Sequence, residues 1–241
     1  VPPVHPIERL RAVARARDVE QTLLASEAAS VLGSLAFDPM SLLTSCRRLI
    51  DRHPAAGALW WACARLLAAD DARAEARRIA LDLDDDPARI DLSLELPDGA
   101  SVAVVPDAAG GSDLAGDLTG MRDDLDVVVF DGGASARGPA DGILLVETGA
   151  AGPGRFLGAA GAGEALAEAR RARAEVWLLV AVGRRLPGPL FDALVTRAGT
   201  AAGEVLPIDG VDRIVEPRQV PCPCPPELLR QPGGGGSGVR M

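Results

Sequence analysis

The period of the hydrophobic residues changes once along this chain, near residue 95, and that change limits the possible folds more than any other feature. Before it, apolar residues return every three or four positions; after it, they come in short unbroken runs. Ile7, Leu10, Val13 and Ala14 follow Pro6 at helical spacing. A proline is tolerated in the first helical turn, where its missing N–H would have no partner anyway. Val19, Leu23, Leu24 and Ala28 carry the stripe on to Val31, Leu32 and Leu35. Gly33 and the Asp38-Pro39 pair predict a break and a restart. Leu42, Leu43, Cys46, Leu49 and Ile50 form the next stripe, His53-Pro54 interrupts it, and Leu59 to Leu67 resumes it. Asp70 or Asp71 stands where it can cap a further helix from Ala72 to Leu81. The spacing predicts a helical N-terminal domain over residues 1–95 whose stripes form a core.

Residues 101–105, 126–130, 142–146 and 175–182 are apolar runs, and 203–207 is a candidate fifth. Strands that are apolar on both sides and separated by helical segments belong to parallel sheets buried on both faces. Residues 163–174 and 189–198 read as crossover helices. The fold class expected is therefore α/β: an N-terminal helical bundle followed by a Rossmann-like parallel sheet with flanking helices over residues 96–230. The glycine run from Gly233 predicts a disordered tail over 231–241.

The net charge is -9, and the sequence has no Lys, so Arg alone carries the positive charge. An acidic chain lacks the broad basic face that nucleic acid requires, but it can still hold a local Arg-lined pocket for a phosphate. No apolar run approaches the roughly 20 residues that span a bilayer. The first ten residues lack a signal peptide's charged start and apolar middle, so the expected location is cytoplasmic. Cys46, Cys63, Cys222 and Cys224 form no spaced framework and read as reduced thiols. Cys222 and Cys224, one residue apart with no second pair nearby, are a poor metal site. Asp82, Asp84, Asp85 and Asp86 read as a solvated turn, and His5 and His53 as structural or exposed residues. No metal or cofactor is expected. Trp60 and Trp61 lie on one expected helix, with at least one in the core and the other free for a partner.

Chemistry in an open parallel sheet belongs beyond the carboxyl ends of its strands. Three loops fall there. The first contains Gly110, Gly111 and Ser112, where backbone N–H groups can approach a phosphate. The second adds Asp131, Gly132, Gly133, Ser135 and Arg137, with a hydroxyl and a guanidinium. The third is Glu147-Thr148-Gly149, continuing through Gly152 to Gly161 with Arg155. None carries the nucleotide-binding spacings of a dinucleotide fingerprint or a P-loop. Each alone is an ordinary connection; together at one sheet edge they make an anion pocket.

Three segments also resemble one family. Residues 52–62, from Arg52-His53-Pro54 to Trp60-Trp61-Ala62, are similar to the Arg-Pro-Thr motif and following helix of the sugar-phosphate isomerase and initiation factor 2B regulatory-subunit superfamily. Residues 140–150 resemble its Gly-Ala-Asp strand and loop, and Cys224-Pro225-Pro226-Glu227-Leu228-Leu229 resembles its C-terminal Thr-Pro-Pro-Glu-Leu-Ile. The family includes methylthioribose-1-phosphate isomerase, ribose-1,5-bisphosphate isomerase and regulatory subunits of a guanine-nucleotide exchange factor. The resemblance implies a helical-then-Rossmann layout, a phosphate-sized pocket and a homodimer or higher homo-oligomer. Its isomerases use a Cys after the first Rossmann strand and an Asp in the Gly-Ala-Asp loop. Here the first loop offers Pro106 and Asp107, Gly149 stands at the Asp position, and Gly158 and Ala159 replace an Asn-Lys pair.

These departures favour a non-catalytic member that binds a sugar phosphate or nucleotide through Gly110, Gly111, Ser112, Gly132, Gly133, Ser135 and Arg137. One alternative is a divergent aldose–ketose isomerase using Asp107 or Asp131 for proton transfer. Another is an interaction protein without a small ligand, with Trp60 or Trp61 in its apolar partner face. The Rossmann half is also short, as though one strand–helix unit were missing between residues 106 and 126.

Overall fold

The computed structural model describes residues 6–16, 19–34, 38–109, 112–130, 142–216 and 220–229. Six helices come first: α1 (Pro6–Arg15), α2 (Gln21–Ser34), α3 (Pro39–Arg52), α4 (Gly57–Ala68), α5 (Ala72–Asp84) and α6 (Ala88–Glu95). Local chemistry fixes their starts. The Asp38 carboxylate accepts the N–H groups of Met40 and Ser41, and Asp71, rather than Asp70, accepts those of Arg73 and Ala74. Gly33 does not break α2. It lies inside the helix where α5 passes so close that an added Cβ would stand 2.6 Å from the Ala76 Cβ. The glycine there marks close helix packing, which one sequence cannot distinguish from a stop signal.

The second half alternates β1 (Ser101–Val105), α7 (Leu114–Met121), β2 (Asp126–Val129) and β3 (Ile143–Glu147), then β4 (Ala150–Gly152) and β5 (Arg155–Gly158). It continues with α8 (Ala162–Ala172), β6 (Glu175–Leu179), α9 (Gly188–Ala198), β7 (Glu204–Pro207), β8 (Arg213–Val215) and α10 (Pro226–Leu229). The main sheet is parallel, in the order β2-β1-β3-β6-β8. Its residues alternate in the way a pleat demands. Val102, Val104, Ile143, Leu145, Trp177 and Leu179 face α6 and α7. Ala103, Val105, Leu144, Val146, Val176 and Leu178 face α8. The segment between residues 106 and 126 is the α7 crossover, an eight-residue helix.

Two expectations fail here. Residues 203–207 do form a strand, β7, but it pairs antiparallel with β5 in a separate sheet ordered β4-β5-β7. The fifth parallel strand is β8, whose three residues are too short a run to show a period. The stretch from Gly152 to Gly161 is not an open loop. It turns at Gly154, with φ of +73°, to make the β4–β5 hairpin. Arg155 pairs there with Asp192 at 2.6 Å, away from the parallel sheet's edge.

The two halves share a core. Leu59, Trp61 and Cys63 of α4 pack in one cluster with Leu157 of β5 and with Leu190, Phe191 and Leu194 of α9. Trp60 and Trp61 are both fully buried, so neither is available to a partner face. Trp60 Nε1 donates to Pro54 O at 3.0 Å, and the Arg65 guanidinium lies over the Trp61 ring, 4.7 Å from its centroid. The C-terminal motif docks on the same core. Leu228 is fully buried, and Arg47 Nη2 donates to Glu227 O at 2.7 Å.

Candidate functional site

The chain leaves β1 to one side for β2 and returns to the other side for β3. In sheets of this order the reversal between two central strands opens a crevice at their carboxyl ends. Here that crevice is filled by the protein's own charges. Glu147 ends β3, Asp107 follows β1 by two residues, and Arg184 lies in the loop after β6. All three are buried, Arg184 with 1% exposure. Arg184 Nη1 donates to Glu147 Oε1 at 2.8 Å and to Thr148 O at 3.0 Å, and its Nη2 stands 3.6 Å from Asp107 Oδ2. Burial opposes the guanidinium charge, but the Glu147 and Asp107 carboxylates outweigh it and hold the Arg184 pKa above its ordinary value.

Gln21 ties this cluster to the helical half. Its Nε2 donates to Asp107 Oδ2 at 2.9 Å, and its Oε1 accepts the Ala58 N–H at 3.1 Å. Arg89 forms an outer layer. It pairs with Asp117, with Glu20 at 2.7 Å and with Glu147 at 3.9 Å, and it donates to Ser112 Oγ at 3.2 Å. Two buried atoms, Glu147 Oε2 and Arg184 Nε, have no partner among the described residues.

Beside this sealed crevice a cavity of about 620 Å³ opens between the helical half and the first strand–helix loop. Its walls come from the end of α1 (Ala14, Arg15, Ala16), the end of α3 and its turn (Arg52 to Ala56), and Ala108 and Ala109 after β1. That volume lies in the range of small-molecule sites. Arg15 and Arg52 are exposed at it, and neither forms an ion pair with another described residue. His53 is half-buried, with Nε2 3.1 Å from Val13 O. A carbonyl can only accept, so Nε2 carries the proton. Burial, with the Arg52 charge, keeps the His53 pKa below its ordinary 6.5, against the pull of the Val13 carbonyl.

Gly149 lies against two of the lining residues, Ala55 and Ala108. Its carbonyl accepts the Gly57 N–H at 3.1 Å, and a Cβ built on it would lie 3.3 Å from Ala55 O and 3.4 Å from the Ala108 Cβ. The reverse fit is tighter: a Cβ on Gly57 would meet Gly149 O at 2.4 Å. The α3–α4 turn therefore closes on this loop with no space for a side chain between them.

Of the residues singled out from sequence, Ser112 is at the carboxyl edge, where its hydroxyl is held by Arg89. Gly110, Gly111, Asp131, Gly132, Gly133, Ser135 and Arg137 lie outside the described residues, as do His5 and the tail from 231. Asp86 of the acidic cluster accepts the N–H groups of Ala88 and Val182 at 3.0 and 2.8 Å, and Asp82 pairs with Arg65 at 2.6 Å. Among the described residues no group of His, Cys, Asp and Glu could hold a metal ion. Sequence reasoning missed Arg184, Arg15 and, as a cavity residue, Arg52. The signal for Arg184 is a charged residue two positions after the end of an apolar run that a buried strand must occupy. Gly183 before it takes φ of +80°, and a Cβ there would stand 3.0 Å from the Trp61 ring.

No family model matches the chain, and no curated protein matches it. Solved structures do. The translation initiation factor eIF-2B of Pyrococcus horikoshii OT3 superposes with a TM-score of 0.63 at 13% identity, covering 88% of this chain and 95% of that one. A chain of the tetrameric eIF2B-beta2-delta2 complex from C. thermophilum gives 0.62 at 17% identity, covering 87% and 88%. The 5-methylthioribose 1-phosphate isomerase of Pyrococcus horikoshii OT3 gives 0.51 at 15% identity, covering 87% and 82%. At these identities the likeness is one of architecture: the chain has the α/β fold seen in these initiation factor 2B and isomerase structures.

Proposed function

We propose that this chain is a non-catalytic protein of the initiation factor 2B regulatory-subunit type, cytoplasmic and homo-oligomeric, that takes a small anion beside the sheet's carboxyl edge. The anion is of the sugar-phosphate or nucleotide class. One observation carries the binding part: a cavity of about 620 Å³, between the helical half and the loop after β1, is lined by Arg15 and Arg52, whose guanidinium groups form no ion pair with another described residue. Gly110, Gly111 and Ser112 of that loop, with Gly132, Gly133, Ser135 and Arg137 of the next, are the further groups proposed to meet the anion.

The non-catalytic part rests on two positions. Asp107, the acid–base candidate after β1, is buried and engaged by Gln21 and Arg184. Gly149 has no side chain and is crowded by Ala55 and Ala108. Proton transfer needs a group within hydrogen-bond reach of the substrate, and neither position supplies one to the cavity.

The test is a thermal-shift titration of the protein with sugar phosphates and nucleotides, repeated on Arg52→Ala. A ligand at a hundredfold excess over Kd stabilises the folded chain by about 2.7 kcal/mol, which raises Tm by several degrees. The shift should shrink in Arg52→Ala while the unliganded Tm stays within a degree or so. A flat response to every compound would sink the anion reading. It would turn attention to the exposed Ile90 and Leu94 on one side of α6, the surface that favours an interaction protein.

A further inference from the structure

We propose that the open edge of β2 pairs antiparallel with β2 of a second copy of this chain, across a two-fold axis beside Val128. The inference rests on the homo-oligomeric reading above and names the surface through which it acts. The strand's hydrogen bonds, its side chains and its charge carry it.

Among the described residues β2 is bonded to β1 alone, at the end of the sheet. Alternate residues of the strand donate to β1: the Asp126 N–H to Ala100 O at 3.0 Å and the Phe130 N–H to Val104 O at 2.8 Å. In a parallel pair the residues between them turn the other way, so the N–H and C=O groups of Val127 and Val129 face the open side. Such a row is a template for another strand unless charge, proline or a bulge blunts it. From Val127 to Phe130 there is no charged residue, proline or glycine. The opposite edge differs: β8 has three residues, and its Arg213 lies over the Trp177 ring and pairs with Glu95 at 2.7 Å.

The side chains on this edge are apolar and uncovered on both faces. Val128 and Val129 point to opposite sides of the sheet and are 49% and 55% exposed. Val128 lies in register with Ala103, on the α8 side, where α8 packs over β3 and β6. A second strand laid along β2 takes both valines out of water.

The occupant that fits is the same strand from another molecule. A two-fold axis reverses strand direction and keeps each side chain on its own face, so the pairing is antiparallel and one residue opposes its own copy. With Val128 at the axis, Val127 and Val129 form hydrogen-bonded pairs with Val129 and Val127 of the second copy, and every outward N–H and C=O of the strand is satisfied. An axis at Val127 or Val129 would send half of those bonds beyond the strand. Charge agrees with this register. The chain carries a net charge of -9, so two copies repel wherever their acidic surfaces meet. Here valine meets valine, and the two Asp126 carboxylates stand about 13 Å apart along the strands, beyond a Debye length at physiological salt.

Sedimentation velocity of the full chain at several concentrations tests this, with Val128→Lys and Val128→Cys beside the wild type. The wild type should show a monomer–dimer equilibrium. Val128→Lys sets two ammonium groups directly opposite each other and should weaken the dimer by about tenfold or more, with an unchanged circular dichroism spectrum. Val128→Cys should give a disulfide-linked dimer with oxidised glutathione, because residues opposed in this way have Cα atoms about 4.5 Å apart, within disulfide range. Asp126→Cys should not, and neither should the wild type. A wild type that is monomeric at every concentration would overturn both this pairing and the homo-oligomeric reading. A dimer that Val128→Lys leaves intact, or that Asp126→Cys links in preference to Val128→Cys, would overturn the pairing and leave the homo-oligomeric reading standing. If Val128→Lys fails to fold, the presence or absence of the Val128→Cys cross-link decides alone.

Discussion

Arg184 is held in the interior by its neighbours, and removing it leaves them exposed to each other. Arg184→Met keeps the volume but takes the buried cation from Glu147 and Asp107, leaving Glu147 with Arg89 at 3.9 Å and Asp107 with the Gln21 amide at 2.9 Å. Breaking a buried pair from one side costs about 3–5 kcal/mol. Urea denaturation should show a loss of that size, and Glu147→Gln added to Arg184→Met should recover part of it. A loss below 1 kcal/mol would mean the cluster is hydrated. His53 gives a prediction of opposite chemistry. Its pKa is lowered in the folded state, so the unfolded chain binds the proton first. Its contribution is therefore full above pH 6.5 and is lost as the pH falls below it. Between pH 7.5 and 5, wild-type Tm should fall further than that of His53→Gln; parallel curves would refute the assignment. Of these residues the sequence marked His53 as structural or exposed and left Arg184 unremarked, because a lone charge after a strand has meaning only once the crevice it fills is known.

At the scale of elements, α2 and α5 meet at Gly33 with almost no separation. A glycine inside a helix normally costs about 1 kcal/mol against alanine, so Gly33→Ala ought to stabilise. The added methyl would stand 2.6 Å from the Ala76 Cβ, and that contact should reverse the sign. Gly33→Val should destabilise by about 1–3 kcal/mol, the usual range for overpacking, measured by chemical denaturation. Restoring the space with Ala76→Gly should return part of the loss. Elements with a long period or a long apolar run were legible in sequence: α3, α4, α5, β1, β3, β6 and α8 all lie where the spacing predicts. Those that depend on a distant partner were not. β8 has three residues, and β7 looks like any buried strand until β5 is known to run against it.

For the molecule as a whole, one apolar cluster crosses from the helices to β5 and α9. Calorimetry should therefore show a single transition, with the calorimetric and van't Hoff enthalpies equal. Residues 1–95 expressed alone should fail to unfold cooperatively, because Leu59, Trp61 and Cys63 would lose part of their cover. Two separate transitions would contradict the shared core. The general layout, helices first and a parallel sheet after, was legible because period survives in any single sequence. The site was not, because its parts come from α1, α3 and the β1 loop, and their meeting depends on how the halves dock. The contact of Gly57 with Gly149 sets what position 149 can hold. A Cβ there would stand 3.3 Å from Ala55 O and 3.4 Å from the Ala108 Cβ, so a carboxylate fits only if both neighbours give way by a few tenths of an ångström. Gly149→Asp would therefore act on how the helical half seats against the sheet before it could offer any chemistry.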